Sequence, residues 1–346
     1  MKILFLSHSF YPAVGGIETF SEFLANAFHN AGYEVHLTTW TKEKGKKEFP
    51  FKIIRSPRLF QLLQEHLWAD LVFENNPTVR LGWPALLLAR PSIITLHTWI
   101  ARINGTRGWQ DKFKFHWLKR AKKVLAVSEA LRKHSWPSAT VIPNAYREDI
   151  FTIVSSIPKT RDFVFLGRLV SDKGAALAIE ALSIIINEKT TEVENKNLTL
   201  TIIGDGPERL NLETLASELR IRKHIEFKGS VTGEELVFEL NKHKYLLVPS
   251  TWEEPFGIVA LEGMGCGCIP IVSDGGGLPE AIGNAGVVFE RGNVAEFVSV
   301  TKQLLENLSL QQKLKNEAPA HLLAHHSKII AGKYLQVLDN VLSKKV

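Results

Sequence analysis

The amino-acid sequence predicts an α/β protein built from two Rossmann-like domains. Short apolar runs recur along the 346 residues of the chain, and segments with helical spacing separate them. The runs are continuously apolar, which is typical of strands that are covered on both faces in a parallel sheet. The pattern restarts near residue 161, so the chain suits two cores better than one.

In the first half, the run KILFLSH predicts a strand, and a glycine turn follows it. Apolar residues at helical spacing then predict a helix that ends at Gly32. Further strands are predicted in YEVHLTT, ADLVFEN, SIITLH, KKVLAVS and ATVIPN.

In the second half, helices such as GAALAIEALSIIINE and PERLNLETLASELRI are predicted between strands. The polar stretch 144–161 predicts a linker, and the amphipathic segment HHSKIIAGKYLQVLDNVL predicts a terminal helix. Because open α/β sheets bind ligands at the carboxyl ends of their strands, we expect the two domains to face each other across one cleft. The strands of this half are predicted in RDFVFLGRL, LTLTIIGDG, HIEFKGSV, KYLLVPS, GCIPIVSD and AGVVFE.

Composition favours a cytoplasmic protein. Cys266 and Cys268 are too few for a disulfide framework or a cysteine zinc site, which favours a reducing compartment. The first apolar run is short and contains Ser7 and His8, so it predicts a strand in place of a signal peptide. No run reaches the roughly 18 apolar residues that span a bilayer.

Positive charge is concentrated in the first half. Residues 1–150 contain 21 Lys and Arg against 12 Asp and Glu, a net charge of +9, and because the whole chain carries +6 the remainder carries −3. Residues 99–123 mix cations with Trp and Phe, which suits an anionic membrane surface or a nucleic acid. The alternative is a solvated helix whose aromatic side chains pack inward. No nucleic-acid motif is present, so we expect peripheral contact with the inner face of a membrane and no nucleic-acid partner.

Two turns that follow strands carry groups suited to phosphate. Gly15 and Gly16 expose backbone N–H groups at a helix N-terminus, although an ordinary tight turn explains them equally well. Arg168 and Lys173 straddle a turn after the first strand of the second half. Arg can grip a diphosphate leaving group with two hydrogen bonds and Lys can act as a point charge, whereas the alternative is a solvated loop with capping cations.

Later strand ends suit the nucleoside. Glycine at Gly204 and Gly206 lets a planar ring approach the backbone, which favours a nucleobase or ribose, and a plain turn is an equal alternative. The backbone after the next strand, at Ser230 and Val231, would contact the edge of the base.

The segment that follows Pro249 places two carboxylates in an apolar run. The spacing puts Glu254 before a helix and Glu262 about two turns into it, with Pro255 at the start of the helix. Gly257 allows a close approach to the backbone. Because burying an unpaired carboxylate is costly, sugar or ribose hydroxyls would satisfy these groups, or a neighbouring Lys or Arg would.

Taken in order, these motifs resemble the family 4 glycosyltransferases, which have the GT-B fold. The resemblance covers nearly the whole chain and implies an acceptor domain at 1–150, a nucleotide-sugar domain at 151–325, and a helix at 326–346 that packs back on the first domain. The matching motifs are Gly15-Gly16, Val127-Ser128-Glu129, Ile142-Pro143-Asn144, Gly167-Arg168-Leu169 with Lys173-Gly174, Gly204-Asp205-Gly206-Pro207, Glu254-x7-Glu262 and Asp274-Gly275-Gly276-Gly277-Leu278-Pro279-Glu280.

The resemblance also implies residue roles. Arg168 and Lys173 would bind the diphosphate, Glu262 the ribose hydroxyls and Glu254 the hydroxyls of the donor sugar. His97 matches a histidine near the reacting carbon, and a satisfied histidine at a strand end is the alternative. The remaining implied donor contacts are Gly15, Gly16, Gly167, Gly204, Gly206, Ser230, Val231, Phe256, Gly257 and Ile258.

The activity that the resemblance implies is retaining transfer of a hexose. The donor would be a UDP- or GDP-sugar and the acceptor a glycan or a lipid-linked glycan, in the synthesis of cell-surface polysaccharide or glycolipid. No residue stands out as a nucleophile and no Asp-x-Asp triplet would hold a metal, so we prefer a front-face reaction without metal or cofactor to a double displacement. A nucleotide-sugar epimerase of the same fold and an inactive nucleotide-binding scaffold are the alternatives.

Two further stretches bear on the resemblance. Asn144-Ala145-Tyr146-Arg147 departs from it, because the family often has Asn-Gly-Val-Asp there, so no contact of that loop is carried over. Glu74-Asn75-Asn76 and Trp99 are expected on the acceptor side of the cleft.

Overall fold

The structure is a computed structural model that describes residues 1–13, 15–100, 108–188 and 197–343. The chain divides into two compact units. The first contains Met1–Ala145 and Ser327–Val346, and the second contains Tyr146–His326. The domain boundaries expected from the sequence, 150 and 325, lie within a few residues of these divisions.

Strands occur where continuous apolar runs predict them. The first unit contains β1 (Lys2–Ser7), β2 (Glu34–Thr39), β3 (Lys52–Arg55), β4 (Leu71–Asn75), β5 (Ser92–Leu96), β6 (Lys123–Ala126) and β7 (Thr140–Val141). The second contains β8 (Arg161–Leu166), β9 (Leu200–Ile203), β10 (Ile225–Gly229), β11 (His243–Val248), β12 (Ile269–Ser273) and β13 (Val287–Phe289).

Helices connect the strands. Those of the first unit, apart from its last, are α1 (Gly16–Asn30), α2 (Leu59–Trp68), α3 (Val79–Gly82), α4 (Trp109–Lys119) and α5 (Glu129–Ser135). Those of the second unit are α6 (Ala175–Asn187), α7 (Arg209–Glu218), α8 (Gly233–Lys242), α9 (Ile258–Gly265), α10 (Leu278–Ile282), α11 (Val294–Glu306) and α12 (Leu308–Ala324). The first unit is completed by α13 (Ser327–Ser343).

The first unit is a doubly wound α/β layer structure. In the described part of the chain its sheet has seven strands in the order β3-β2-β1-β4-β5-β6-β7, and every pairing is parallel. The order reverses between β1 and β4, where Ser7 pairs with Asn75 at the carboxyl ends. Helix α13 belongs to this unit because its Tyr334 and Leu338 are buried in the same core as Phe5 and Phe28.

The second unit repeats the plan. Its described strands form a six-stranded parallel sheet in the order β10-β9-β8-β11-β12-β13, which reverses between β8 and β11. The core is built from α6 and α11 against the sheet, with Ile179, Ile202 and Leu304 fully buried. The two parallel sheets with helices confirm the predicted α/β class.

Three local predictions were wrong. The strand β3 was not predicted, because the short run KIIR falls among polar and aromatic residues. Helix α9 begins at Ile258 on the left-handed residue Gly257, so Pro255 precedes the helix and does not start it. Glu262 is consequently the fifth residue of α9 and lies little more than one turn into the helix.

Candidate functional site

The loops that carry Arg168, Lys173 and Glu254 follow β8 and β11, the two strands between which the strand order of the second sheet reverses. Arg168 comes two residues after β8, and Ser250 comes two residues after β11, the neighbouring strand. Ligands of open α/β sheets bind at this point because the two loops diverge and leave a crevice. The Arg168 side chain is exposed, and in the described residues it has no acidic partner, so its charge is available to a ligand.

Lys173 and Glu254 form an ion pair. Lys173 Nζ lies 2.5 Å from Glu254 Oε1, and the two side chains are 26% and 13% exposed. Ser250 Oγ lies 2.9 Å from the same carboxylate oxygen. A neighbouring lysine, one of the alternatives left open by the sequence, therefore holds Glu254 in the ligand-free chain.

The second carboxylate oxygen of Glu254 remains free. Within the described ranges, Oε2 has no hydrogen-bond partner, and Lys173 has further N–H groups beyond the one directed at Oε1. The pair can therefore offer a cation to a phosphate and an acceptor to sugar hydroxyls without separating. This geometry suits a ligand in which a phosphate and a sugar are adjacent.

Backbone hydrogen bonds fix the two loops to each other. The carbonyl of Asp172 accepts from Ser250 Oγ at 2.8 Å and from the N–H groups of Thr251 and Trp252 at 3.0 and 3.2 Å. Gly174 has φ +73°, and a Cβ there would collide with the carbonyl of Pro249. Glycine is therefore needed for the close approach that brings Lys173 to Glu254.

The glycines after β9 also serve loop packing. The N–H of Leu169 donates to the carbonyl of Asp205 at 2.9 Å, and a Cβ at Gly206 would lie 2.8 Å from the carbonyl carbon of Leu169. A Cβ at Gly204 would lie 2.9 Å from the carbonyl carbon of Gly167. The predicted residues Gly167, Gly204 and Gly206 thus come together, and their lack of side chains has a packing reason independent of any ligand.

A glycine-rich loop supports Glu254 from the other side. The N–H of Gly277 donates to the carbonyl of Glu254 at 2.7 Å, and a Cβ on Gly277 would lie 2.9 Å from the Cα of Phe256. Gly257 has φ +102° and contacts Leu278. The backbone N–H groups that open α9 are therefore held in place by the Gly276–Gly277 segment.

Glu262 differs from Glu254 because it has no partner. No hydrogen bond or ion pair to its carboxylate occurs in the described part of the chain, although the side chain is only partly accessible. Burial raises the pKa of Glu262 to about 7. An unpaired carboxylate in such surroundings is costly and is typical of a group that a ligand satisfies.

The other predicted donor contacts are dispersed around these loops. Ser230 is exposed and Val231 is buried, directly after β10. Phe256 is buried with its ring centroid 5.9 Å from that of His325, so only its backbone can serve a ligand, while Ile258 is partly exposed. The structure brings Ser230 and Val231 to the same edge of the sheet as Arg168.

In the first unit, the predicted glycine turn begins a helix. Gly16 is the first residue of α1 and is exposed, and a Cβ built on it would meet nothing within 4 Å. A Cβ on Gly15 would instead collide with the Glu18 carboxylate, which folds back over the start of the helix. Val14, in the same motif, lies outside the described residues.

His97 lies at the carboxyl end of β5, as predicted. Its backbone N–H donates to Asn76 Oδ1 at 2.8 Å, and its ring centroid lies 4.5 Å from that of Phe20 on α1. Its Nε2 atom is buried and has no hydrogen-bond partner in the described chain. Burial lowers the pKa of His97 to about 3, so the imidazole is neutral near pH 7 and can position a polar group but not supply positive charge.

The expected acceptor-side role of Glu74 is wrong. Glu74 is fully buried and is paired with the Arg120 guanidinium, and it accepts from Trp117 Nε1 at 2.9 Å and from the N–H of Thr78 at 3.0 Å. Burial raises the pKa of Glu74, while Arg120 beside it acts in the opposite direction. The side chain has a structural role and is not accessible to a ligand.

The basic and aromatic stretch divides into two surfaces. Trp117 packs inward, as the solvated-helix alternative expects, whereas Trp109 and Phe113 of α4 are 78% and 45% exposed. Residues 101–107 lie outside the described part of the chain.

None of the helices in the described ranges combines the length and apolar character of a membrane span. In the same ranges, no three His, Cys, Asp or Glu side chains lie close enough together to bind a metal ion.

Ser250 is the site residue that sequence reasoning missed. Its fully buried hydroxyl touches Glu254 and the loop that carries Lys173. The sequence contains a weak signal, because Ser250 follows the end of a predicted strand in the densest motif. Its two partners are distant in sequence from each other, so the contact itself could not be read from the chain.

Family models match most of the chain. Residues 147–321 match the glycosyl transferases group 1 model, and residues 14–147 match the model of glycosyltransferase family 4. The chain therefore belongs to the glycosyl transferases group 1 family, and it is a glycosyltransferase of the GT-B type, which confirms the family predicted from the sequence.

Individual relatives agree with this assignment. A 119-residue segment is 39% identical to an uncharacterized glycosyltransferase of Methanocaldococcus jannaschii and covers 34% of this chain and 28% of that protein's length. The lipopolysaccharide core biosynthesis glycosyltransferase LpsD of Rhizobium meliloti is 24% identical over the full length of both chains. The crystal structure of Anabaena HepE in complex with UDP and glucose has a TM-score of 0.82 at 18% identity, and the match covers 98% of this chain and all of that one.

Proposed function

We propose that the protein is a retaining hexosyltransferase that uses a UDP- or GDP-sugar without a metal ion. The observation that carries this proposal is the arrangement in the second unit. Arg168, which has no acidic partner among the described residues, follows the same sheet edge as the Lys173–Glu254 pair. Glu262, whose carboxylate also has no partner among those residues, lies in α9, the helix that follows Glu254. Arg168 and Lys173 would stabilise the diphosphate as it leaves, in place of a metal. Glu254 Oε2 would accept from sugar hydroxyls and Glu262 from the ribose.

The reaction we propose is a front-face displacement. His97 is neutral, so it would position the acceptor or the sugar near the reacting carbon while the leaving phosphate takes the acceptor proton. The buried, unpartnered Nε2 of His97 is the atom that would make this contact.

The acceptor we propose is a lipid-linked glycan at a membrane surface, in the synthesis of polysaccharide or glycolipid. The name of LpsD supports a glycolipid, and the net charge of +9 on residues 1–150 together with the exposed Trp109 and Phe113 supports contact with anionic lipid. Vesicles containing anionic lipid should sediment the protein at low salt. A protein that stays in the supernatant would contradict the membrane part of the proposal.

A thermal-shift screen of UDP, GDP and ADP and their sugars tests the donor class. One nucleotide should raise the melting temperature, and Glu262→Ala should weaken its binding by roughly ten- to 150-fold, the loss of hydrogen bonds to a charged group. Unchanged affinity would remove Glu262 from the site.

NMR of the product should show that the anomeric configuration of the donor is retained, whereas an isomerised free sugar would identify an epimerase.

A further inference from the structure

A second polar cavity lies in the first unit, away from the predicted site residues. It is an open groove of about 1150 Å³ between the segment that precedes β5, the start of β6 and helix α13. Four cations line it: Arg90, Arg120, Lys122 and Lys123. Among the described residues that line the groove, none is acidic, so its field favours an anion.

Most of this positive charge is not neutralised. In the described chain, neither Lys122 nor Lys123 has an acidic partner, and the Arg90 guanidinium donates to a neutral acceptor, the carbonyl of Leu67, at 2.7 Å. Arg120 is the exception because it is paired with the buried Glu74, although its buried Nε has no hydrogen-bond partner in the part of the chain that the structure describes. Of the four cations that line the groove, three therefore have no acidic partner among the described residues, and the fourth, Arg120, is held by Glu74.

The opposite wall combines amides with apolar groups. Gln336 and Asn340 of α13 are exposed to the groove, and Val337 and Val341 lie beside them. The amides can hydrogen-bond to ester or hydroxyl oxygens, and the valines can cover a short aliphatic portion. This combination fits a phosphate ester better than a bare inorganic anion.

The groove is at the amino edge of the sheet. Arg90 precedes β5, and Lys122 precedes β6, whereas His97 follows the carboxyl end of β5. A strand of five residues is about 16 Å long, so the groove and the His97 end of the sheet are separate sites.

We infer that this groove is a second binding site, for a phosphate-bearing ligand, distinct from the proposed nucleotide-sugar site. Leu86 and Leu87, which lie in the chain between the lining residues Ala85 and Ala89, are 60% and 71% exposed. The phosphate could therefore belong to a lipid headgroup or to an ester free in solution. The inference does not depend on the proposed transferase chemistry, because the groove shares no residue with it.

The test uses the full chain and two probes. Glycerol 3-phosphate is titrated in solution, and vesicles of phosphatidylcholine, alone or in equal mixture with phosphatidylglycerol, are used for sedimentation. The double variant K122A/K123A should bind the effective probe roughly 30-fold more weakly, at about 1 kcal/mol for each lysine. N340D, which adds a negative charge without changing shape, should also weaken binding. Binding of the glycerol phosphate identifies a small ester as the ligand. Selective binding of the mixed vesicles identifies a headgroup only if K122A/K123A and N340D weaken it, because the exposed Trp109 and Phe113 can also hold the protein on anionic lipid.

The control K42A/K44A removes two exposed lysines of the same unit that lie outside the groove. It should bind as the wild type does. If K122A/K123A and K42A/K44A lose binding equally, or if neither probe binds, the groove is not a phosphate site. Binding of the nucleotide found in the thermal-shift screen is measured on the same samples and should be unchanged, so a failure of the groove is distinguishable from a failure of the donor site.

Discussion

Glu262 links the stability of the protein to pH. A glutamate titrates at 4.5 when it is unperturbed, and burial raises the pKa of Glu262 to about 7. Between these values the folded state binds more protons than the unfolded state, so the free energy of unfolding falls as pH rises through this window. The stability contributed by this group is fully present below pH 4.5 and is lost as pH rises through about 7.

Glu262→Gln should remove this dependence. Relative to the wild type, the variant should gain up to about 3 kcal/mol in unfolding free energy between about pH 4 and about pH 8. Urea unfolding at several pH values measures the difference. The control is Glu317→Gln, an exposed residue, which should run parallel to the wild type. If the unfolding free energy of E262Q changes with pH as that of the wild type does, the pKa of Glu262 is not raised in the folded protein.

Ser250 should act through Glu254. Ser250→Ala removes the hydroxyl that lies 2.9 Å from the carboxylate, while the carbonyl of Asp172 keeps its bonds from Thr251 and Trp252. We therefore expect kcat to fall by roughly tenfold or more, with a stability loss of about 1 kcal/mol. Steady-state kinetics with the nucleotide-sugar found in the screen, and thermal unfolding, give the two quantities.

The matched control for this variant is Thr251→Ala. Thr251 is the neighbour of Ser250, and its Oγ1 donates to the carbonyl of Ser171, 3.3 Å away in the loop that carries Lys173. Among the described residues, no side-chain hydrogen bond joins Thr251 to Glu254. Its kcat should be close to that of the wild type. If kcat falls equally in both variants, Ser250 stabilises the loop as a whole and its contact with Glu254 has no separate effect on kcat.

At the residue scale, the sequence predicts which residues belong to the site but not which of them contact each other. The residue types at Arg168, Lys173, Glu254 and Glu262 could be identified from motifs. The ion pair between Lys173 and Glu254 could not, since 81 residues separate them and only the neighbouring positions of β8 and β11 bring their loops together. Glu74 was expected on the acceptor side of the cleft for the same reason, because its partner Arg120 is 46 residues away and the pairing has no local signal.

At the scale of elements, the start of α9 depends on one backbone conformation. Gly257 caps the helix at φ +102°, and a Cβ there would collide with Leu278. Gly257→Ala should therefore lower stability by about 1–2 kcal/mol for the left-handed conformation, and more if Leu278 cannot move. It should also weaken nucleotide binding, because the first N–H groups of α9 lose their orientation.

Gly332→Ala provides the same chemical change where no strain is expected. Gly332 lies within α13, is exposed, and has nothing within 4 Å of an added Cβ. Alanine should raise the melting temperature there, because it has the higher helix propensity by about 1 kcal/mol. A Gly257→Ala protein as stable as the wild type would show that the turn before α9 relaxes at little cost.

Most elements could be predicted because each buried strand has a local signal. Continuous apolar runs such as KILFLS identify strands that are covered on both faces, and β1 and β8 begin where the pattern predicts. The run KIIR of β3 gives a weaker signal, since only Ile54 of its four residues is fully buried at this edge strand. The hydrophobic pattern of a segment reflects how much of it is buried. A short strand that is only partly buried, such as β3, therefore cannot be predicted from that pattern.

At the scale of the whole molecule, the chain returns to its first unit at the end. Amphipathic spacing predicts that α13 is a helix, but periodicity does not say which core its apolar face enters. The structure buries Ile330, Tyr334, Leu338 and Leu342 with the core of the N-terminal sheet. Residues more than 300 positions apart, such as Tyr33 and Asp339, are hydrogen-bonded as a result.

Leu338→Ala tests this assignment. Leu338 is fully buried in the first unit, so the substitution should cost about 2–5 kcal/mol and reduce hydrogen-exchange protection of β1 and α1. Leu304→Ala, an equally buried leucine of the second unit, should instead reduce protection around α6 and α11. In L338A, the nucleotide found in the screen should still increase the hydrogen-exchange protection of the second unit. Loss of protection in the second unit alone for L338A would place α13 in the other core.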